Sequence, residues 1–252
     1  MPFSEPAECA PAESEPAESE PAEAAQRLPD HSAYLSLLLA DGRLPVGAHT
    51  QSAGVEPAFR HGMTRDQLSD YIAVRLRTVT KVEAATAVLA RSVYLALVGA
   101  RGDEVLDALE SVDAAWRART VSNALREASD LLGRSYLRMA EAVWSVDLAQ
   151  RRFARPVVVG VVAAVAGVSA EQLARVIAFD DVQTVVSAAL KLAPFDPVEG
   201  VRVAVAAGSD VERLVTEVRA LRCVEDLPAD SAPLIEHWAQ SHHGQRRRLF
   251  RA

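Results

Sequence analysis

From Asp30 to the C-terminus, apolar residues recur every three or four positions, and no stretch alternates apolar with polar between hairpin turns. A period near 3.6 is that of a helix with one face against a core, whereas a half-buried strand needs a period of two. The expected fold is all-α: a single globular bundle of about nine or ten helices over residues 30–252. Tyr34, Leu35, Leu38 and Leu39 make the first stripe, with Asp30 as its N-cap. Thr64 with Gln67, and Ser169 with Gln172, read as capping boxes that open helices. Further helices are expected over Lys81 to Val98, Asp103 to Trp116 and Thr120 to Trp144. The set continues from Ser169 to about Leu192, from Asp196-Pro197 to a stop at Gly208, and over Asp210 to Val224 and Ser231 to Ser241. The Val-rich segment RPVVVGVVAAVAGV is open to a second reading, a buried strand. Its length, Pro156 at an N1-like position and Gly167 as a C′ stop favour a helix.

Residues 4–23 are four tandem pentads, SEPAE, CAPAE, SEPAE and SEPAE. Pro in every pentad, mutually repelling Glu and the lack of large apolar groups predict a disordered tail over residues 1–29 that cannot offset the entropy of ordering. An acidic docking arm is the alternative use for it. The tail also explains the net charge of −7: residues 1–23 hold seven Glu and no Lys or Arg, so the remainder carries 27 acidic and 27 basic residues. A formally neutral body argues against a nucleic-acid binder, which needs a basic field. Cys9 and Cys223 sit in unlike contexts and supply no disulfide framework, which suits a reducing compartment. The chain opens on Pro and Glu rather than on a basic segment and an apolar core, and the run Pro156 to Val168 is too short to span a bilayer. A soluble cytoplasmic protein is expected, with no membrane contact.

The chain lacks a GxxxxGK[ST] loop, a CxxC pair, an HExxH helix and a GxSxG elbow, so no catalytic residue and no durable cofactor site is assigned. His237, His242 and His243 lie close together, but spacings of five and six do not align ligands on one helix face. A solvated tail is the expected reading, and a transient nickel contact stays open because imidazole binds that ion well. The terminal run Arg246-Arg247-Arg248-Leu249-Phe250-Arg251 reads as a solvated charge run, as a nucleic-acid contact, which the neutral body makes weak, or as a docking tail, with Leu249 and Phe250 as apolar anchors between arginines. The least ordinary stretch is LPVGAHTQSAGVE, residues 44–56. Pro45 and Gly47 fix a turn, Ser52, Ala53 and Gly54 allow close backbone approach, and Thr50, Gln51 and Glu56 are polar among apolar neighbours. An ordinary helix connection and a functional loop both fit it.

Four segments, in order, resemble the UreF family of urease accessory proteins. LPVGAHTQSAGVE resembles its LP-x-G-x-[aromatic/His]-x-x-S-x-G-x-E signature at Leu44, Pro45, Gly47, His49, Ser52, Gly54 and Glu56. LREASDLLGRSYLR resembles its central helix through Arg126, Gly133 and Arg134. RPVVVGVVAAVAGVS and SAALKLAPFD resemble the next stretch, including Lys191, Leu192 and Pro194. APLIEHWAQSHHGQRRRLFRA resembles the terminal pattern at Pro233, Leu234, His242, Arg248, Leu249 and Phe250. The likeness covers about residues 32–252; His243 stands where the family has an acid, and Asp196 where it usually has Gly.

The resemblance implies an all-α fold and a homodimer in complex with the GTPase UreG and with UreD, also called UreH. That complex acts on apo-urease as a GTP-dependent chaperone, with nickel as transferred cargo. On this reading the partner-binding candidates are the signature residues Pro45, Gly47, His49, Ser52, Gly54 and Glu56, the helix residues Arg126, Arg134, Lys191 and Pro194, and the terminal residues His242, Arg248, Leu249, Phe250 and Arg251. Two other classes compete: a helical ligand-responsive regulatory or binding protein, and an enzyme whose site assembles from residues such as Glu56, His49 and Arg134.

Overall fold

The structure is a computed structural model, and it describes residues 31–149, 151–243 and 249–250. Four of its helical segments open on a short polar side chain, Thr64, Ser122, Ser169 or Asp196, at the N-cap. The loop after α1 (Ser32–Leu39) leads to α2 (Val55–Arg60). Thr64 and Gln67 then form the expected capping box, opening a 3₁₀ turn that continues into α3 (Leu68–Arg77). After α3 the chain runs through α4 (Val79–Ala96), α5 (Gly102–Arg119), α6 (Asn123–Trp144) and α7 (Arg155–Val165). The second capping box, Ser169 with Gln172, opens α8 (Ala170–Leu192). Asp196 caps α9 (Pro197–Ala206) by accepting from the Val198 amide, and α10 (Gly208–Val218) and α11 (Pro233–His243) follow. The fold is all-α, with no strand among the described residues.

The differences from the sequence reading are local. The six-residue α2 was not anticipated; it starts at Val55, within the signature loop, and runs past its end to Arg60. Gly208 does not stop α9: the break falls at Ala207, and Gly208 is the first residue of α10. That helix ends at Val218, short of the expected Val224. Asp30 and the acidic pentads lie outside the described residues. Cys9 lies with the pentads outside the described residues, and Cys223 is not free.

The chain divides into Met1–Asp30 and His31–Ala252, and the second unit is built around α7. The Val-rich segment is a helix, buried from Pro156 to Ala164. Two side chains hold its N-terminal end: Asp113 accepts from the Ala154 amide at 2.7 Å and Ser129 from the Arg155 amide at 3.0 Å. Pro156, with no amide to satisfy, completes the first turn. α7 packs between α4 and α6, and α4 also meets α5 and α8. The α4 face is lined with Ala84, Ala85, Ala87 and Ala90, small enough for Gly160 of α7 to lie against the Ala87 carbonyl. A Cβ at Gly160 would stand 2.8 Å from Ala90 Cβ, so this crossing tolerates no larger residue without moving a helix. Gly133 of α6 is pressed in the same way against the Phe153 carbonyl. α11 packs on α2 and α6, which brings the C-terminal region back to the signature loop.

Candidate functional site

The signature loop folds by using left-handed backbone in three places. Gly47 has φ +80° and precedes a 3₁₀ turn, Ala48–Thr50, that contains His49. Ala53 has φ +49°, and Gly54 has φ +78° at the start of α2. For Ala53 this conformation is strained, and two long side chains hold it: its carbonyl accepts from Tyr71 Oη at 2.7 Å and from Arg75 Nη1 at 2.9 Å. Gly54 is required both by its φ and by space, because a Cβ would stand 2.7 Å from Tyr71 Oη. Ser52 is fully buried and its hydroxyl has no partner among the described residues. Val46 is buried, whereas Pro45 is exposed.

Once placed in the first turn of α2, Glu56 becomes a hub. It is 2% exposed. Its carboxylate accepts from the Leu249 amide at 3.0 and 3.1 Å, from the Phe250 amide at 2.8 Å and from Arg60 Nη2 at 2.7 Å. His242 Nε2 lies 3.4 Å from Glu56 Oε2 and 3.4 Å from the Phe250 carbonyl oxygen. A buried anion is tolerated only when its lone pairs are met by donors, and here two backbone amides and a guanidinium meet them. The carboxylate is thus engaged in structure rather than poised as an acid or base.

Two expectations about the C-terminus are corrected here. His242 is fully buried rather than part of a solvated tail; of the other two histidines, His237 is exposed and His243 ends α11. Phe250 is not a free anchor: it is 5% exposed, belongs to the core, and carries Lys191 Nζ 5.4 Å from its ring centroid. The tail reading failed because the groups that capture Phe250, Glu56 and Lys191, lie far from it in sequence. Leu249 stays 65% exposed.

The remaining candidates are not gathered at this hub. Arg126 is half-buried and spends its guanidinium on the Arg117 carbonyl and on Asn123. Arg134 is exposed on α6. Pro194 is exposed, and its carbonyl accepts from Arg65 at 3.4 Å. Arg248 and Arg251 lie outside the described residues. Among the described residues, no group of three or more His, Cys, Asp or Glu could hold a metal ion, and no helix is long and apolar enough to cross a membrane.

A second polar cluster escaped the sequence reading. Arg75 of α3 makes a two-pronged ion pair with Asp181 of α8, at 2.9 and 2.5 Å, and Thr80 adds a hydrogen bond to Asp181 at 2.8 Å. Beside it, Arg155 pairs with Asp180 at 2.9 Å and lies 3.6 Å from Glu83. Arg75, Asp181, Arg155, Asp180 and Glu83 line a cavity of about 100 Å³. Burial pushes the Asp180 and Glu83 carboxyls up, against the pull of Arg155. Burial alone would raise Asp181 too, but the Arg75 guanidinium and the Thr80 hydroxyl hold it below the ordinary carboxylate range. Burial also pushes the Tyr71 hydroxyl up to about 12, so it remains a donor to Ala53 at any ordinary pH. The available signal was a charge on an apolar stripe: Arg75 shares its helix face with Leu68, Ile72 and Leu76.

Comparison with known proteins agrees with the four-segment resemblance. The UreF family model matches residues 63–208, from the approach to α3 to the start of α10. A urease accessory protein UreF of Mycolicibacterium vanbaalenii is 34% identical over 219 residues, covering 85% of this chain and 96% of that protein. One from Mycobacterium marinum is 35% identical over 217 residues, with the same coverage. One from Mycobacterium tuberculosis is 33% identical over 219 residues. On this family match, and on relatives that align along almost their whole length, the chain belongs to the UreF family.

Proposed function

We propose that this protein is a non-catalytic adaptor in urease maturation. It works as a homodimer with a UreG-type GTPase and a UreD/UreH-type protein in the cytoplasm, supporting GTP-dependent insertion of nickel into apo-urease. Nickel is cargo on this reading, and the chain holds no durable cofactor. The supporting observation is the use made of Glu56, the one acid of the signature loop. Its carboxylate is occupied by the Leu249 and Phe250 amides and by Arg60, so the signature and the terminal motif form one structural unit beside an exposed Leu249. Such a unit shapes a contact surface and leaves no free base. The enzyme reading is not favoured, because Glu56 is enclosed in this knot while Arg134 stands on the exposed face of α6. A partner that senses the nucleotide state of a switch GTPase needs differential contacts with its two states rather than a nucleotide site of its own.

Co-purification with a candidate UreG and UreD pair tests the reading directly. A stable complex, together with isolated protein that binds GTP no better than a control in calorimetry, is the expected result. Micromolar nucleotide binding by the isolated chain, or failure to capture either partner, overturns it.

A further inference from the structure

We propose that part of the signature loop is a hinged lid: residues 48–53 swing away from the charged cavity and admit small polar solutes to it. The lid goes beyond the adaptor reading and does not depend on it.

Ala48, Gln51 and Ala53 form one wall of the cavity that Arg75, Glu83 and Arg155 also line. Ala48 and Gln51 line, in addition, an outer groove between α1 and α8 whose rim includes the exposed Leu37. One strip of chain therefore separates the cavity from the outside. A left-handed glycine stands at each end of it, Gly47 at φ +80° and Gly54 at φ +78°. A Cβ at Gly47 would meet nothing within 4 Å, so that end has room to turn. Between the hinges the Thr50 amide and hydroxyl both donate to the Gly47 carbonyl, at 3.1 and 2.8 Å, which keeps the piece compact as it moves.

The closed position sets two unfavourable features against one latch. Ala53 is held at φ +49°, and the Ser52 hydroxyl is fully buried with no partner among the described residues. Both are relieved when the segment leaves. The latch is the Ala53 carbonyl, which accepts from Tyr71 Oη and Arg75 Nη1. Asp181 fixes the far side of Arg75, so a single carbonyl lifts from two stationary donors while the bundle behind it stays shut. Close-packed interiors resist such motion, and the cavity supplies the free volume that it needs. Inside, Glu83 stands 3.6 Å from Arg155, beyond hydrogen-bond distance, and keeps acceptor capacity for an entering donor.

The test uses the full chain and two readouts. One is amide exchange over residues 48–55 against residues 157–164 of α7. The other is acrylamide quenching of Trp116, a buried residue of the cavity wall, in chains where Trp144→Phe and Trp238→Phe leave it as the sole indole. In wild type, residues 48–55 should exchange at least about tenfold faster than residues 157–164, by a local opening whose rate does not respond to low urea. Tyr71→Phe keeps the ring and removes one donor of the latch. It should speed exchange over residues 48–55 about fivefold and raise quenching of Trp116, with α7 unchanged. Ala53→Gly takes the left-handed penalty out of the closed state and should slow the same exchange about threefold and lower the quenching. The two substitutions together should return both readouts close to wild type. Exchange over residues 48–55 that occurs only when α7 opens overturns the proposal, as does equal acceleration of both segments by Tyr71→Phe. Faster exchange in Ala53→Gly also overturns it. So does quenching of Trp116 that stays the same in every variant, because the loop would then move without opening the cavity.

Discussion

Asp181 and Glu56 are both carboxylates taken out of water, and each is met by an arginine, but they hold different parts of the molecule. Asp181 joins two long helices: Arg75 of α3 and Thr80 at the start of α4 reach it on α8, so nothing can leave without opening the bundle. Glu56 joins a short helix to a two-residue strap near the chain end, through backbone amides. The Arg opposite Asp181 has 9% of its side chain exposed, whereas the Arg opposite Glu56 has 41%. Similar chemistry therefore cements the fold in one place and fastens a separable element in the other. Burial of the cation, and what lies at the far end of the hydrogen bonds, decides which.

The largest effect is expected at Asp181. Asp181→Ala leaves the Arg75 charge buried and uncompensated, a loss of about 3–5 kcal/mol. At about 2–4 °C per kcal/mol for a domain of this size, the thermal midpoint should fall by on the order of 10 °C. A chemical-denaturation midpoint close to wild type would show that water reaches Arg75, and the contrast with Glu56 would collapse.

Phe250→Ala should cost less, about 1.5–3 kcal/mol, the value of burying one such side chain. The loss is bounded, because the strap can detach once it no longer repays its own ordering. A chain ending at Arg248 should then melt at the same temperature as Phe250→Ala. If the point variant is much less stable than the truncation, the strap is not separable and belongs with the Asp181 cluster.

The Asp181 cluster also carries a pH signature. The folded Asp181 carboxyl titrates below its ordinary value, so it contributes stability that is present above about pH 4 and lost as pH falls through the folded value. Asp180 and Glu83 run the other way: burial raises both, so acidification through the range above about pH 4 favours the folded state at those positions. Asp181→Asn should flatten the acid-side loss of stability in urea titrations below about pH 4. An unchanged acid limb would mean that carboxylates elsewhere set it.

Leu249→Ala should be the smallest change, within about 0.5 kcal/mol of wild type in denaturant, because the side chain is mostly in water. A drop in the melting point as large as that of Phe250→Ala would place Leu249 in the fold beside Phe250.

Much of the scaffold was legible in the residues. Capping boxes at Thr64 and Ser169, and Pro156 with Gly167 around a Val-rich run, are local devices whose partners lie within one or two turns. The site was legible only as a set of motifs. Gly54 and Glu56 stood out in the signature loop, and Leu249 and Phe250 in the terminal run, but the resemblance did not say that they meet. Tyr71 and Arg75, which hold the loop in its strained turn, belong to no motif that was read.

The division follows from the range of the forces. Helix period, caps and stops act over three or four residues, so the chain by itself determined an all-α bundle and most of its breaks. Arg75 and Asp181 are 106 positions apart, and Glu56 and Leu249 are 193 apart. Pairs at such separations leave no periodic trace. Whether a terminal Phe is a free anchor or a core residue depends on what the fold brings to it. Only the tertiary structure, by closing α11 onto α2, delivers the Glu56 carboxylate to the Phe250 amide and so decides that the ring turns inward.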